Sequence, residues 1–141
     1  MLRFAGANAD IVGVIASIHS GAVDVAAAQD TLPERMDQKF AWVREGAATV
    51  SPERFDALEL NAYLSLAAVT ETGNELAESL APSFDTDAAS VIASPAVLIG
   101  SATEIVERLH ERRERWGFSY TIIPPGEAHD FAPIVADLTG T

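Results

Sequence analysis

One stretch of the chain alternates strictly. In ALELNAYLSLAAVT, Leu58, Leu60, Ala62, Leu64 and Leu66 occupy every second position, with Glu59, Asn61, Tyr63 and Ser65 between them. A period of two places the leucines on one face of a strand and the polar group on the other, so this segment predicts one long strand with a polar face. Three further strands are predicted from short apolar runs: DIVGVIAS (Asp10–Ser17), PAVLIG, and FSYTIIPPG, the last closed by Pro124 and Pro125.

Between the strands the period changes to that of a helix. In TLPERMDQKFAWVREGA, Met36, Phe40, Val43 and Ala47 recur at steps of four, three and four, and Thr31 with Glu34 stands at capping-box spacing. TGNELAESLAPSF begins another helix, with Thr72 and Glu75 at the same spacing, and DTDAASVIAS reads as a shorter helical piece. SATEIVERLHERRERWG carries Ile105, Val106, Leu109 and Trp116 on one face, opens on Ser101 and Glu104, and stops at Gly117. HDFAPIVADLTG is the last helix, with Asp130 as its expected N-cap.

The order is β-α repeated four times, which implies parallel strands joined by crossover helices in one domain spanning residues 1–141. Two architectures fit, an open doubly wound sheet or four β/α units of an eight-unit barrel. The polar face of the second strand favours the barrel, because a central strand of an open parallel sheet is covered on both sides. An edge strand would alternate in a similar way.

Composition narrows the chemistry. Twenty-one acids against nine bases give a net charge of −12, which disfavours nucleic acid and anionic membranes as partners. The basic cluster RLHERRERW interleaves glutamates and reads as a solvated helix face. The absence of cysteine removes disulfides, thiolate nucleophiles and thiolate metal ligands. No apolar run approaches the roughly 20 residues a bilayer span requires, and the first residues lack a secretory pattern. A cytoplasmic protein without a metal site is expected.

GSATE, at the junction of the third strand and its helix, invites comparison with a phosphate-binding loop. Ser101 and Glu104 already satisfy the helix's free N–H groups, no lysine follows, and a carboxylate there would repel phosphate. The stretch reads as a cap. His19, in IASIHSG, follows the first strand, where a barrel places its active-site loops; His110 sits among charges on an exposed helix face, and His129, in PPGEAH after the fourth strand, precedes the final helix. Glu59 and Asp10 could serve as bases, but nothing in the sequence pairs either with a partner.

MLRFAGANADIVGV, KFAWVREGA, FDALELN, SPAVLIGSATEIVERLHERRERWGFSYTIIP and FAPIVADLTGT occur in that order. Together these blocks resemble the C-terminal half of the bacterial-luciferase-like family, in its branch of F420-dependent oxidoreductases. The resemblance implies a half (β/α)8 TIM barrel with parallel strands. It implies hydride transfer with coenzyme F420, or with FMN, whose family users include monooxygenases, on a small-molecule substrate. It also implies that the coenzyme-phosphate loop and the catalytic groups belong to an N-terminal half outside these residues. No catalytic residue is therefore carried onto this chain, which is expected to be inactive, or nearly so, alone. Strand geometry nominates Ser17, His19, Tyr63, Ser65 and Pro124 as substrate-pocket walls. Activity would require an N-terminal half-barrel partner; the alternative is a non-catalytic assembly domain that forms a homodimer through its open edges.

Overall fold

The computed structural model describes residues 1–18, 21 and 24–139. All four predicted strand regions form, but they divide between two sheets. Strands β1 (Ile11–Gly13), β2 (Glu59–Tyr63) and β5 (Phe118–Ile122) make a three-stranded parallel sheet in the order β1-β2-β5. Strands β3 (Leu66–Val69) and β4 (Val97–Gly100) make a separate parallel pair. The architecture is α/β, with parallel strands in open sheets.

The long second strand is thus two strands, and the hydrogen bonds show where it changes partner. The Leu64 N–H donates to Ile122 O at 3.1 Å, whereas the next N–H, of Ser65, donates to Ala96 O at 2.8 Å. The break also inverts the alternation. Leu64 packs with Ala67 in one apolar cluster, while Leu66 joins Ala68 in another. The expectation that Leu58 to Leu66 share a face therefore holds for Leu58, Leu60 and Ala62, which pack in one cluster, and fails at Leu66, which packs apart from Leu64.

Helix α3 (Pro33–Ala48) delivers its predicted stripe. Met36, Phe40 and Val43 are buried against Val12, Leu60 and Phe118 of the three-stranded sheet, and the Phe40 and Phe118 rings meet edge to face at 5.2 Å. Helices α4 (Gly73–Phe84) and α5 (Ala88–Ala93) cover one face of the β3–β4 pair. Helices α6 (Ala102–Trp116) and α7 (Ala128–Leu138) cover the other through Ile105, Phe131 and Ile134. Two helices were not foreseen, α1 (Leu2–Asn8) and α2 (Val25–Gln29).

Of the predicted N-caps, one forms as expected. Ser101 Oγ accepts from the Glu104 N–H at 3.4 Å, and Glu104 Oε2 accepts from the Ser101 N–H at 2.8 Å. The Ser101 N–H and the Ser101 hydroxyl, which donates to the same Oε2 at 2.9 Å, hold the Glu104 carboxyl below its ordinary value. Gly117 ends α6 at φ 83°, a backbone region that costs a side chain energy. Ser101→Ala is expected to lose about 0.5–2 kcal/mol in urea unfolding, with no change in the residues before β4.

The other caps differ. The Thr31 hydroxyl donates to Ala28 O at 2.6 Å and pairs with Ser94 Oγ at 3.0 Å, so Leu32 caps α3 without a side-chain bond. Thr72 Oγ1 lies 3.1 Å from Thr70 Oγ1 and caps nothing. Asp130 falls inside α7, because the 3₁₀ turn Pro125–Glu127 runs directly into that helix and makes Glu127 the capping position.

Candidate functional site

The register of the three-stranded sheet divides its side chains cleanly. Ile11 pairs with Glu59, Gly13 with Asn61, Asn61 with Tyr120, and Tyr63 with Ile122, so these residues share one face. Val12, Leu60 and Phe118 point the other way, into the core beneath α3. Among the described residues no helix covers the first face. Tyr63 is 53% exposed and Tyr120 49%, and Ile11, Ile15 and Ile122 are exposed beside them. These are the chain's two tyrosines. Parallel sheets occur almost only with both faces covered, which makes a bare face of isoleucine and tyrosine the most unusual surface of the molecule.

Parallel strands bring all their C-terminal ends to one side, and the loop following β1 is pinned there by a charged clamp. Lys39 Nζ donates to Ile15 O at 2.8 Å, Asp30 O at 2.9 Å and Asp30 Oδ2 at 2.6 Å. The same Oδ2 accepts from the Ser17 N–H at 2.8 Å. Burial opposes ionisation of Asp30 and is the largest single influence on it. The hydrogen bonds from Lys39 and Ser17, with the lysine's charge, outweigh it and hold the carboxyl below its ordinary value. Lys39, the chain's single lysine, is 5% exposed. Its three donors are all used, as a buried ammonium requires.

The nominated pocket residues separate into groups. Tyr63 and Ser65 come together at a small hollow of about 20 Å³, with Ala16, Thr31, Met36 and Pro95 in its wall. Its size matches one water molecule, not a substrate. Ser17 instead lines a wider cleft of about 510 Å³ with Gln29, Asp30 and Arg35. Pro124 lies beyond β5 at the start of the 3₁₀ turn and lines neither. His19 lies outside the described residues. His110 and His129 are exposed. Asp10 and Glu59 sit at the N-terminal ends of β1 and β2, opposite the clamp, and Asp10 pairs with Arg54 at 3.7 Å.

The basic cluster on α6 is not the uniformly solvated face that its composition implied. Arg112 is 6% exposed, and its Nη2 donates to Ser94 O at 2.8 Å and Val97 O at 2.6 Å, tying α6 to the start of β4. Arg108 donates to Ile99 O. Arg115 reaches across to Asp37 on α3 at 2.6 Å, where the Trp116 indole N–H also donates at 2.8 Å. Burial lowers the Arg112 guanidinium to about 10, and the neighbouring Arg108 charge acts in the same direction.

The Lys39–Asp30 clamp and the buried Arg112 were not anticipated. The first had a signal, since Lys39 falls between Met36, Phe40 and Val43 on the apolar stripe of α3. Arg112 had a weaker one, standing three residues past Leu109 and four before Trp116. Among the described residues no three of His, Asp or Glu gather as a metal site, and no helix is long and apolar enough to cross a membrane. No family model, curated protein or solved structure matches the chain.

Proposed function

We propose that this chain is the C-terminal part of a luciferase-like (β/α)8 barrel that transfers hydride with coenzyme F420 or FMN. In this reading the bare face of β1, β2 and β5 is the barrel's inner wall. The observation that carries it is that uncovered parallel face, bounded by β1 and β5 as edge strands with no neighbour among the described residues. In such a barrel β1, β2 and β5 are three successive staves, and β3 with β4 forms a ribbon outside the ring. The wall residues suit one part of the coenzyme. Ile15, Tyr63, Tyr120 and Ile122 offer flat apolar and aromatic surface to a planar ring, with the buried Asn61 side chain between them. Among the described residues no basic side chain shares that face, so the phosphate would be held by the complementary segment. The bound coenzyme supplies the hydride acceptor or donor. The chain's own share is to shape the wall and, through Lys39 and Asp30, to fix the β1 loop at the reactive end.

Fusing the chain to the N-terminal half barrel of an F420-dependent luciferase-like oxidoreductase tests this. F420 fluorescence is expected to respond to the fusion and not to the chain alone. A fusion that folds but leaves F420 and FMN spectra unchanged would count against the reading. The alternative partner is a second copy, since the same face and edges could close as a homodimer. Sedimentation separates the two, because a stable dimer of the isolated chain with no coenzyme response favours the assembly domain.

A further inference from the structure

A further cavity lies on the opposite, helix-covered side of the three-stranded sheet, between β5, α6 and α7. It measures about 410 Å³, within the range of small-molecule sites. Its apolar wall comes from Leu64, Leu98, Phe131 and Ile134. Its charged wall is basic, with Arg112 and Arg113 lining it beside the polar His110, Ser119 and Thr121, and no aspartate or glutamate among the described residues. In a chain with 21 acids and nine bases that bias is opposite to the rest of the surface.

Arg112 adds an independent observation. Its Nη2 is fully engaged by backbone carbonyls, but its Nη1 is buried with no hydrogen-bond partner. None of the ion pairs among the described residues involves it. A buried guanidinium without an anion is unfavourable unless something supplies one, and its planar fork matches a carboxylate.

We propose that this cavity binds a monocarboxylate with an apolar tail, its carboxylate accepting from Arg112 and its tail lying along Leu64, Phe131 and Ile134. The site is independent of the hydride-transfer reading, because it uses the other face of the sheet. Arg112 also borders a smaller hollow of about 210 Å³ with Arg108, Glu111 and Arg115. There the wall contains a carboxylate, and Arg108 and Arg115 already pair with Glu104 and Asp37, so the larger cavity is the better match.

Titration calorimetry with sodium decanoate, well below its micellar concentration, tests the site against decanol as the uncharged control. Decanoate is expected to bind one to one and at least tenfold more tightly than decanol. Val135 lines the cavity from α7 and is 53% exposed, so Val135→Glu adds a carboxylate there without disturbing the core. That variant is expected to weaken decanoate at least tenfold and to leave decanol within about threefold. Arg112→Met, if it folds, should make the two ligands bind alike. Equal affinity for decanoate and decanol in the unaltered protein, no binding of either, or a Val135→Glu variant that binds decanoate normally would each overturn the proposal. The last result would move the ligand to the bare sheet face or the smaller hollow.

Discussion

Replacing Lys39 with methionine is expected to destabilise the protein by about 3 kcal/mol, the lower end of what removing one partner of a buried ion pair costs. The lysine fills a place between Ile15 and Asp30 where methionine fits sterically but donates nothing. Three acceptors lose their donor together, and the Asp30 carboxylate keeps the Ser17 N–H and hydroxyl and the more exposed Arg35, whose nearest contact is 3.3 Å. The loss depends on pH in a defined direction. Asp30 has its folded-state value lowered, so its contribution is present in full above about pH 4 and fades as pH falls through the lowered value. The gap between the parent protein and Lys39→Met should therefore narrow in acid. Urea unfolding at pH 7 and pH 3 checks both parts. Lys39→Met with Asp30→Asn should cost less than the sum of the two single changes. Amine acylation gives a second readout. The native protein should react at its α-amino group alone, and the unfolded protein at Lys39 as well.

Gly46→Ala is expected to be strongly destabilising, against the usual trend. Alanine within a helix is normally about 1 kcal/mol better than glycine. Here a Cβ at Gly46 would overlap the Arg3 carbonyl, and one at Gly6 would overlap the Val43 carbonyl, because α1 crosses α3 backbone to backbone. No rotamer change relieves that overlap, so the two helices must separate. Overpacking of this kind costs roughly 1–3 kcal/mol, and the upper end applies where backbone meets backbone. Limited proteolysis should release α1 before the rest of the chain. Gly126→Ala is the control, since a Cβ there meets nothing within 4 Å, and its melting temperature should stay level or rise.

These two sites show what the sequence could reveal. The stripe of α3, the capping box at Ser101 and Glu104 and the stop at Gly117 depend on residues close together in the chain, and their periods are readable directly. The break between Leu64 and Ser65 was not readable, because unbroken leucine alternation hides a change of partner that only Ile122 and Ala96 determine. Thr31 is similar. Its spacing to Glu34 matches a capping box, yet its hydroxyl is taken by Ala28 O and by Ser94, which lies 63 residues away. The nominated wall positions divided along the same line. Tyr63 follows from alternation and lies on the bare face, whereas Ser65 falls past the break, and Ser17 faces a different cleft from both.

That bare face is the feature on which the functional reading stands, and the chain carries its own reporter for it. Both tyrosines lie there and there alone, so nitration with tetranitromethane, counted by mass, reads the covering of one surface. In the isolated chain at low concentration Tyr63 and Tyr120 should both react. In the fusion with an N-terminal half barrel they should be protected by at least tenfold. If both tyrosines react equally in the two proteins, while the isolated chain melts cooperatively as a monomer, the face is ordinary surface and the account of an incomplete ring is wrong.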